Sequence, residues 1–320
     1  MGYIQHQTQP LYRRRTFSDK FSDTSDFITA NWRVLLKMLT ITILPVSAIQ
    51  ALNLNGLMSN VYGSVNDGAG SAASIITGLA INYGSLMVFG LIATVLFISI
   101  VYAVMRLYHA TGNDGTPPHP ELGSMTFAQF RPYMMRQMRP AWKSIGAMVL
   151  IGIMMLALMV LGGAGLAASS SKSNIEDGVF AIMMLAAYAC IFLLMPPAMM
   201  AIPVYSFEKT GFWAGLKKGI VYGFKTWRGV VAVMFVFGII IGFVGGFLSL
   251  PWMILNMLKA YFVADGSTSL AFVNTIWYNF ITYLFGILYI YVSYIGYAAM
   301  LVALAYQYGH AHEVIDGEDF

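Results

Sequence analysis

The residues best able to bind a metal ion or transfer a proton lie in two short stretches of the 320-residue chain. The first is near the C-terminal end, where His310, His312 and Glu313 lie close together. On a continuing helix His310 and Glu313 share a face and His312 does not, so one metal site cannot easily use all three. Cationic side chains also suit a helix C-terminus, which favours a solvated helix end over a metal site.

The second stretch is a segment rich in glycine and proline that carries His109, Asp114, His119 and Glu121. Glycine and proline are typical of connecting segments, so we interpret it as a connector rather than a ligand site. Glycine-rich phosphate loops and the HExxH, CxxC and GxSxG motifs are absent from the sequence. The sequence therefore predicts no catalytic residue, no metal and no cofactor.

Long apolar segments must position these residues, whatever their role. The chain is 58% hydrophobic and only 10% charged, whereas soluble domains carry about 25% charged residues. A helix needs about 20 apolar residues to cross a hydrocarbon core of ~30 Å. Six segments are long enough, and none contains aspartate or glutamate. These predicted spans are about 33–54, 78–105, 144–168, 178–203, 229–258 and 269–305.

The predicted fold is all-α integral membrane, with six transmembrane helices arranged as three hairpins. Backbone groups in lipid must be satisfied internally, and the ten-residue alternation typical of barrel strands is absent. Residues 16–309 would form one membrane domain between cytoplasmic tails at 1–15 and 310–320. The 269–305 span is about 55 Å long at 1.5 Å per residue, so we expect it to protrude, tilt or break near Gly286 or Gly296. The prolines within other spans, such as Pro45 and Pro251, predict kinks or breaks.

Basic residues orient the predicted spans. Six precede or open the first span, five lie between the second and third, and five lie between the fourth and fifth, so sixteen of the eighteen share one side. Only Lys172 and Lys259 lie on the other side. Cytoplasmic loops carry the excess of lysine and arginine. The sequence therefore predicts a multi-pass protein of a bacterial inner membrane with both termini in the cytoplasm.

A tryptophan followed by a basic residue stands at three places where an amphipathic stretch meets an apolar run. Tryptophan is enriched at membrane interfaces, and basic residues attract anionic headgroups. We therefore predict that a cytoplasmic amphipathic helix on the membrane surface precedes each hairpin. The predicted interface anchors are Trp32, Arg33, Trp142, Lys143, Trp213, Lys218, Lys225, Trp227 and Arg228.

Small residues recur at helical spacing in the last two predicted spans. In lipid such residues let helix backbones approach one another, and a dimerisation face or a hinge is the alternative use. The predicted helix-packing residues are Gly238, Gly242, Gly246, Gly286, Ser293, Gly296, Ala299 and Ala303. The sixth span also carries several tyrosines. Their hydroxyls need partners inside a membrane, so we expect some to face other helices or a polar cavity.

Four features together resemble a known group of proteins: the opening from Phe17 to Lys37, Pro45, the segment from Gly215 to Arg228, and the closing Ala305-Tyr306-Gln307-Tyr308. In these features the chain is similar to poorly characterised six-span membrane families common in Bacteroidota. They include the membrane domain associated with glycerophosphodiester phosphodiesterases. The chain has no phosphodiesterase domain, so the resemblance implies neither that activity nor any catalytic residue.

These observations favour a non-catalytic scaffold or accessory subunit that acts through lipid and protein contacts. The expected partners are anionic membrane lipids, with a protein partner or a second copy of the chain also possible. Nucleic acid is not expected, because orientation charges explain the net charge of +4. A transporter or channel for a small or lipidic solute is the alternative, and it predicts a mid-membrane cavity lined by asparagine and tyrosine. An intramembrane enzyme is the third, and it predicts clustered ionisable groups.

Overall fold

A computed structural model describes residues 10–66, 72–110, 122–168, 193–265 and 270–317, together with residues 182, 185, 186 and 189. Every regular element in these ranges is a helix. The helices are α1 (Phe17–Asn66), α2 (Ala72–Ala110), α3 (Phe127–Ala168), α4 (Ala201–Phe207), α5 (Phe212–Lys225), α6 (Trp227–Asp265), α7 (Leu270–Val273) and α8 (Ile276–Ile315).

Five of these helices (α1, α2, α3, α6 and α8) contain stretches long and apolar enough to cross a membrane. Helix α4 ends a shorter apolar helical stretch, Leu193–Phe207. Eleven of the 26 residues in the fourth predicted span, 178–203, lie outside the described residues. The structure thus confirms an all-helical protein with several membrane-length helices.

Two of the three predicted surface helices are not separate helices. Helix α1 runs for 50 residues through Trp32-Arg33, and α3 runs for 42 residues through Trp142-Lys143. The first turns of both helices bury side chains in the protein core, among them Phe27 and Phe130, so tertiary contacts hold them in line with the spans. Only the third junction has a break. There α5 ends at Lys225, Thr226 leaves helical geometry, and α6 begins at Trp227.

The predicted breaks at prolines and glycines are not seen in the long helices. Pro45 lies inside α1 and Pro251 inside α6, and α8 is continuous through Gly286 and Gly296. The predicted span 269–305 is instead divided near its start. The short α7 comes first, and α8 begins after Thr275, whose hydroxyl oxygen accepts a hydrogen bond from the backbone N–H of Tyr278. Helix α8 then extends about 60 Å, because each residue adds about 1.5 Å.

Helix α8 has the most neighbours in the bundle. It packs along α1 and α6 and also contacts α2, α4 and α5. Helix α2 packs against both α1 and α3. The largest buried core lies where the C-terminal half of α8 meets α1 and α2, and Phe27, Tyr102 and Tyr306 are buried there. Tertiary contacts are therefore concentrated toward one end of the bundle.

Residues 10–15 and 310–317 are held against this core and do not form free tails. Arg15 is only 4% exposed. Its Nε donates to Asp23 Oδ2 at 2.7 Å, and its guanidinium lies 4.7 Å from the centre of the Tyr306 ring. The backbone N–H of Arg15 donates to His310 Nδ1 at 3.0 Å. Both described ends of the chain therefore lie at the same end of the bundle. We call this end, where Arg15 meets His310, the basic end.

The N-terminal segment crosses α8 so closely that residue 309 must be glycine. A side-chain carbon at Gly309 would overlap the carbonyl oxygen of Leu11. Leu11 is itself buried, and its carbonyl oxygen also accepts a hydrogen bond from Arg15 Nη1 at 2.6 Å. Buried polar groups need such partners, so the guanidinium fixes the path of this segment.

Candidate functional site at the basic end

The predicted interface anchors fall into two groups in the structure. Those that are exposed on the outside of the bundle are Trp32, Arg33, Trp142, Trp213, Lys225 and Arg228, while Trp227 is half-buried. The guanidinium of Arg33 lies 5.6 Å from the ring of Trp32. Exposed indole rings beside basic side chains are typical of a membrane–water interface.

The other two predicted anchors bind the protein itself. The Nζ of Lys143 donates to the backbone oxygen of Thr210 at 2.7 Å, which joins α3 to the segment between α4 and α5. Lys218 forms ion pairs with Glu208 and Asp316. These two ammonium groups are therefore engaged in tertiary contacts.

Helix α5 is attached to the bundle by glycines four residues apart. A side-chain carbon at Gly219 would lie 2.6 Å from the Cα of Ala201. At Gly223 it would overlap the backbone of Pro197, and at Gly215 it would overlap the ring of Tyr205. The absence of side chains lets α5 lie directly against α4 and the helical turn before it. The GxxxGxxxG pattern is visible in the sequence, but these glycines were not among the predicted helix-packing residues.

The opposite face of α5 is apolar and points away from the protein. Trp213 is 69% exposed, Phe224 is exposed further along the same face, and Ile220 is half-buried. Leu216 of the same helix is buried. Basic Lys217 also lies exposed. Helix α5 therefore presents an aromatic and basic surface that the glycine-rich face holds in place.

The predicted helix-packing residues also divide into two groups. A side-chain carbon at Gly238, Gly242 or Gly246 of α6 would have no described atom within 4 Å. In α8, by contrast, a side-chain carbon at Gly286 would lie 3.4 Å from atoms of Ala51 and Trp252. A side-chain carbon at Gly296 would lie 3.4 Å from Ile241. The remaining α8 residues also lie within the bundle: Ala303 is fully buried, Ala299 packs against the core, and Ser293 Oγ donates to the Tyr289 oxygen.

An ion cluster joins α4, α5 and α8 at the basic end. Lys218 Nζ lies 2.9 Å from Glu208 Oε1 and 3.0 Å from Asp316 Oδ2. The hydroxyl of Tyr222 donates to Asp316 Oδ2 at 2.5 Å, and that of Tyr308 donates to Glu208 Oε1 at 2.8 Å. One ammonium group therefore bridges two carboxylates, and each carboxylate also accepts a hydrogen bond from a tyrosine.

The cluster shifts the ionisation of its members. Burial by itself would lower the pKa of Lys218, but the hydrogen bonds with Tyr222, Glu208 and Asp316 outweigh it and raise that pKa. Burial would raise the pKa of Asp316, but the hydrogen bonds from Tyr222 and Lys218 lower it below its ordinary value. Burial and the bond to Asp316 raise the pKa of the Tyr222 hydroxyl. Lys218 and Asp316 are thereby both kept charged.

Three tyrosine rings surround the imidazole of His312 beside this cluster. The ring centre of Tyr12 is 4.8 Å away, that of Tyr308 is 6.2 Å away and that of Tyr222 is 6.4 Å away. The His312 Nε2 lies 3.7 Å from Asp316 Oδ2. Within the described residues, no group of three histidine, cysteine, aspartate or glutamate side chains is placed to hold a metal ion.

This cluster groups ionisable residues at one place in the fold, and no sequence pattern predicted it. Glu208 and Asp316 stand about a hundred positions apart, so no local pattern links them. Lys218 pairs with carboxylates from two different segments, which favours a role in holding the helix ends together.

Comparisons with known proteins add no further constraint. A scan against protein-family models finds no match, and neither do searches of curated proteins and of solved structures.

Replacing a glycine of α5 tests how this helix is attached. Gly219→Ala is expected to lower the free energy of unfolding by about 1–3 kcal/mol, because the added methyl group meets the backbone at Ala201. Gly238→Ala has open space and should be neutral or stabilising, since alanine favours a helix by ~1 kcal/mol over glycine. Denaturant unfolding of the two purified variants in mild detergent measures the difference. Equal effects would contradict the close approach.

The pKa shifts predict a pH window for the ion cluster. Because the pKa of Asp316 is lowered, its contribution to the free energy of unfolding is complete above pH 3.8. That contribution is lost as the pH falls through the folded-state pKa. Because the pKa of Lys218 is raised, its contribution to the free energy of unfolding is complete below pH 10.5. That contribution is lost as the pH rises through the folded-state pKa.

Thermal unfolding of the wild-type protein and of Lys218→Met across this window measures the contribution. The difference between them should be largest between 3.8 and 10.5 and shrink beyond both limits. The exposed neighbour Lys217→Met serves as the control and should show little difference at any pH. A difference that is independent of pH would rule out the ion pairs as its source.

Proposed function

We propose that this chain is a non-catalytic protein of a bacterial inner membrane, a scaffold or accessory subunit that binds anionic lipid through α5. The observation that carries this proposal is the glycine-rich attachment of α5. It places one face of the helix directly against α4 and leaves Trp213 and Phe224 exposed on the other face. Such a surface is costly in water but favourable at the boundary between headgroups and acyl chains.

Basic residues near this face support anionic lipid as the ligand. Lys217, Lys225 and Arg228 are exposed, and none is placed in an ion pair with another described residue. A lysine or arginine near an anionic membrane surface contributes about 1 kcal/mol. The apolar face would enter the interface while these charges meet phosphate groups beside it.

The basic end is proposed to face the cytoplasm with both chain termini. Arg15, Lys143 and Lys218 all make their contacts at this end, and an excess of basic residues is typical of cytoplasmic loops. A protein partner or a second copy would then pack against the exposed apolar faces of the bundle, such as that of α6 at Phe243 and Phe247.

Transport of a small or lipidic solute is the second candidate function. The observation that favours it is a pair of cavities beside the middle of α8, both lined by Tyr289 and Tyr297. The expected cavity lining included asparagine as well as tyrosine, and only the tyrosines are found there among the described residues.

Neutralising the exposed charges near α5 tests the proposed lipid contact. The triple variant Lys217→Gln, Lys225→Gln and Arg228→Gln should weaken the preference for phosphatidylglycerol over phosphatidylethanolamine by one to two orders of magnitude, since each charge contributes about 1 kcal/mol. Native mass spectrometry of the protein with defined lipid mixtures measures this preference.

A charge-matched control separates α5 from general basic charge. Arg131, Arg136 and Arg139 of α3 are also exposed, and replacing all three with glutamine removes the same number of charges. A smaller loss in this control supports the assignment to α5. An equal loss, or no loss in either variant, would overturn it.

The proposed sidedness has its own test. The chain has one natural cysteine, Cys190, so Lys217→Cys in a Cys190→Ser background places a single thiol on α5. A membrane-impermeant maleimide should label it only after the cells are permeabilised. Labelling in intact cells would place the basic end outside the cytoplasm.

A further inference from the structure

Two cavities meet along one face of α8. One, of about 480 Å³, lies between α8, α2 and the apolar stretch that leads into α4. The other, of about 330 Å³, lies between α8 and α6. They share Tyr289, Ser293 and Tyr297, which are spaced four residues apart near the middle of the 40-residue α8. Each volume is within the range of small-molecule binding sites, about 300–1,000 Å³.

The two cavities differ in chemistry. The larger is lined mainly by apolar side chains, including Phe97, Ile98 and Met199. The smaller has glycines on the α6 side and the hydroxyls of Ser249, Ser293 and the two shared tyrosines around it. Among the described residues that line either cavity, none is acidic, basic or histidine. A charged ligand group would therefore have no counter-ion at this depth.

Two of the three hydroxyl groups at the junction of the cavities, those of Tyr289 and Tyr297, lack partners among the described residues, whereas Ser293 Oγ donates to the backbone oxygen of Tyr289. Elsewhere in α8 the Tyr291 hydroxyl shares a hydrogen bond with Thr40 Oγ1 at 2.5 Å, and the Tyr294 hydroxyl accepts one from Gln50 at 3.3 Å. Neither Tyr289 nor Tyr297 has a hydrogen-bond partner for its hydroxyl within the described part of the chain. Hydrocarbon provides none, so these two phenols favour a ligand that brings a hydrogen-bond acceptor to this depth.

We propose that the joined cavities bind a neutral acyl lipid, with its hydroxyl or ester group between Tyr289 and Tyr297 and an acyl chain in the 480 Å³ cavity. The uncharged lining selects a neutral head, and the unpartnered hydroxyls bind its oxygen atoms. Flexible Met195, Met199 and Met300 in the larger cavity can adapt to a chain. This inference specifies the solute of the second candidate function and does not depend on lipid binding at α5.

The glycines of α6 have a role in this site. Gly238, Gly242 and Gly246 line or border the smaller cavity, and no described atom lies within 4 Å of the position of a side-chain carbon there. Their spacing therefore leaves room beside Tyr289, whose ring stacks on Trp252 at 6.1 Å. A large side chain at Gly242 would fill this space.

A photoreactive diacylglycerol tests the proposal directly. The probe carries a diazirine near the end of one acyl chain and is reconstituted with the full-length protein in vesicles. After irradiation, mass spectrometry should find the label on residues of the larger cavity, such as Phe97 and Met199. Unlabelled diacylglycerol should compete, and phosphatidylglycerol with the same acyl chains should compete at least tenfold less well.

Variants connect the labelling to named groups. The double variant Tyr289→Phe and Tyr297→Phe keeps both rings and removes only the hydroxyls, and it should lower labelling about tenfold through the loss of two hydrogen bonds. Gly242→Phe should lower it by at least as much. Gly84→Phe in α2, which also has open space but lines neither cavity, should leave it unchanged.

Three results would overturn the proposal: labelling spread over the outer surface of the bundle, equal competition by phosphatidylglycerol, or full labelling of the double tyrosine variant. If Gly242→Phe fails to fold, the tyrosine variant still decides, because it preserves the shape of both rings. The triple variant near α5 should retain diacylglycerol labelling. Loss of anionic-lipid binding at α5 and loss of neutral-lipid binding in the joined cavities are thus separate outcomes.

Discussion

Hydrocarbon offers no hydrogen-bond partner, and this constraint accounts for where the protein places its polar groups. Backbone groups are paired within helices, and hydroxyls along the spans donate to the carbonyl four residues earlier, as Ser99 does to Val95 at 2.6 Å. Arg15 is buried only because Asp23, backbone carbonyls and the face of Tyr306 surround it. The phenols of Tyr289 and Tyr297 have no partner among the described residues, like the buried Ser47 Oγ and Gln50 Oε1, and the proposed lipid would supply partners for the two phenols.

The absence of a side chain has two different uses in neighbouring helices. In α5, glycines at 219 and 223 bring two backbones into contact, the glycine at 215 makes room for the ring of Tyr205, and the opposite face is left exposed. In α6, glycines at the same spacing border a cavity. The pattern of small residues is identical in the two helices. What differs is whether a second backbone lies within reach, and only the fold determines that.

The long helices divide the protein into a membrane part and an end where helices meet. Helices α1, α3 and α8 are all longer than a bilayer core requires. The basic end therefore holds a core of its own, with Phe27, Tyr102 and Tyr306 buried in it. The ion cluster closes one side of that core and α5 lies beside it. The exposed aromatic residues of α5 and the helix contacts of Lys218 thus lie on adjacent faces of a single helix.

Much of the architecture followed from local composition. Apolar runs longer than a bilayer is thick, with no acidic residue inside, predicted membrane-length helices, and charge asymmetry predicted an orientation. The amphipathic character of the stretch that forms α5 was visible in the sequence, and so was the need of the α8 tyrosines for partners. Each of these depends on neighbours in the chain or on the membrane itself, so the sequence alone contained the signal.

Only the tertiary structure decided how the helices use their polar and small residues. It made α1 and α3 continuous through their tryptophans, because their first turns bury Phe27 and Phe130 in the shared core. It also committed Lys143 and Lys218 to protein contacts and brought Glu208 to Asp316 through one ammonium group. These outcomes depend on groups that are distant in the chain, and a linear pattern carries no information about which of them meet.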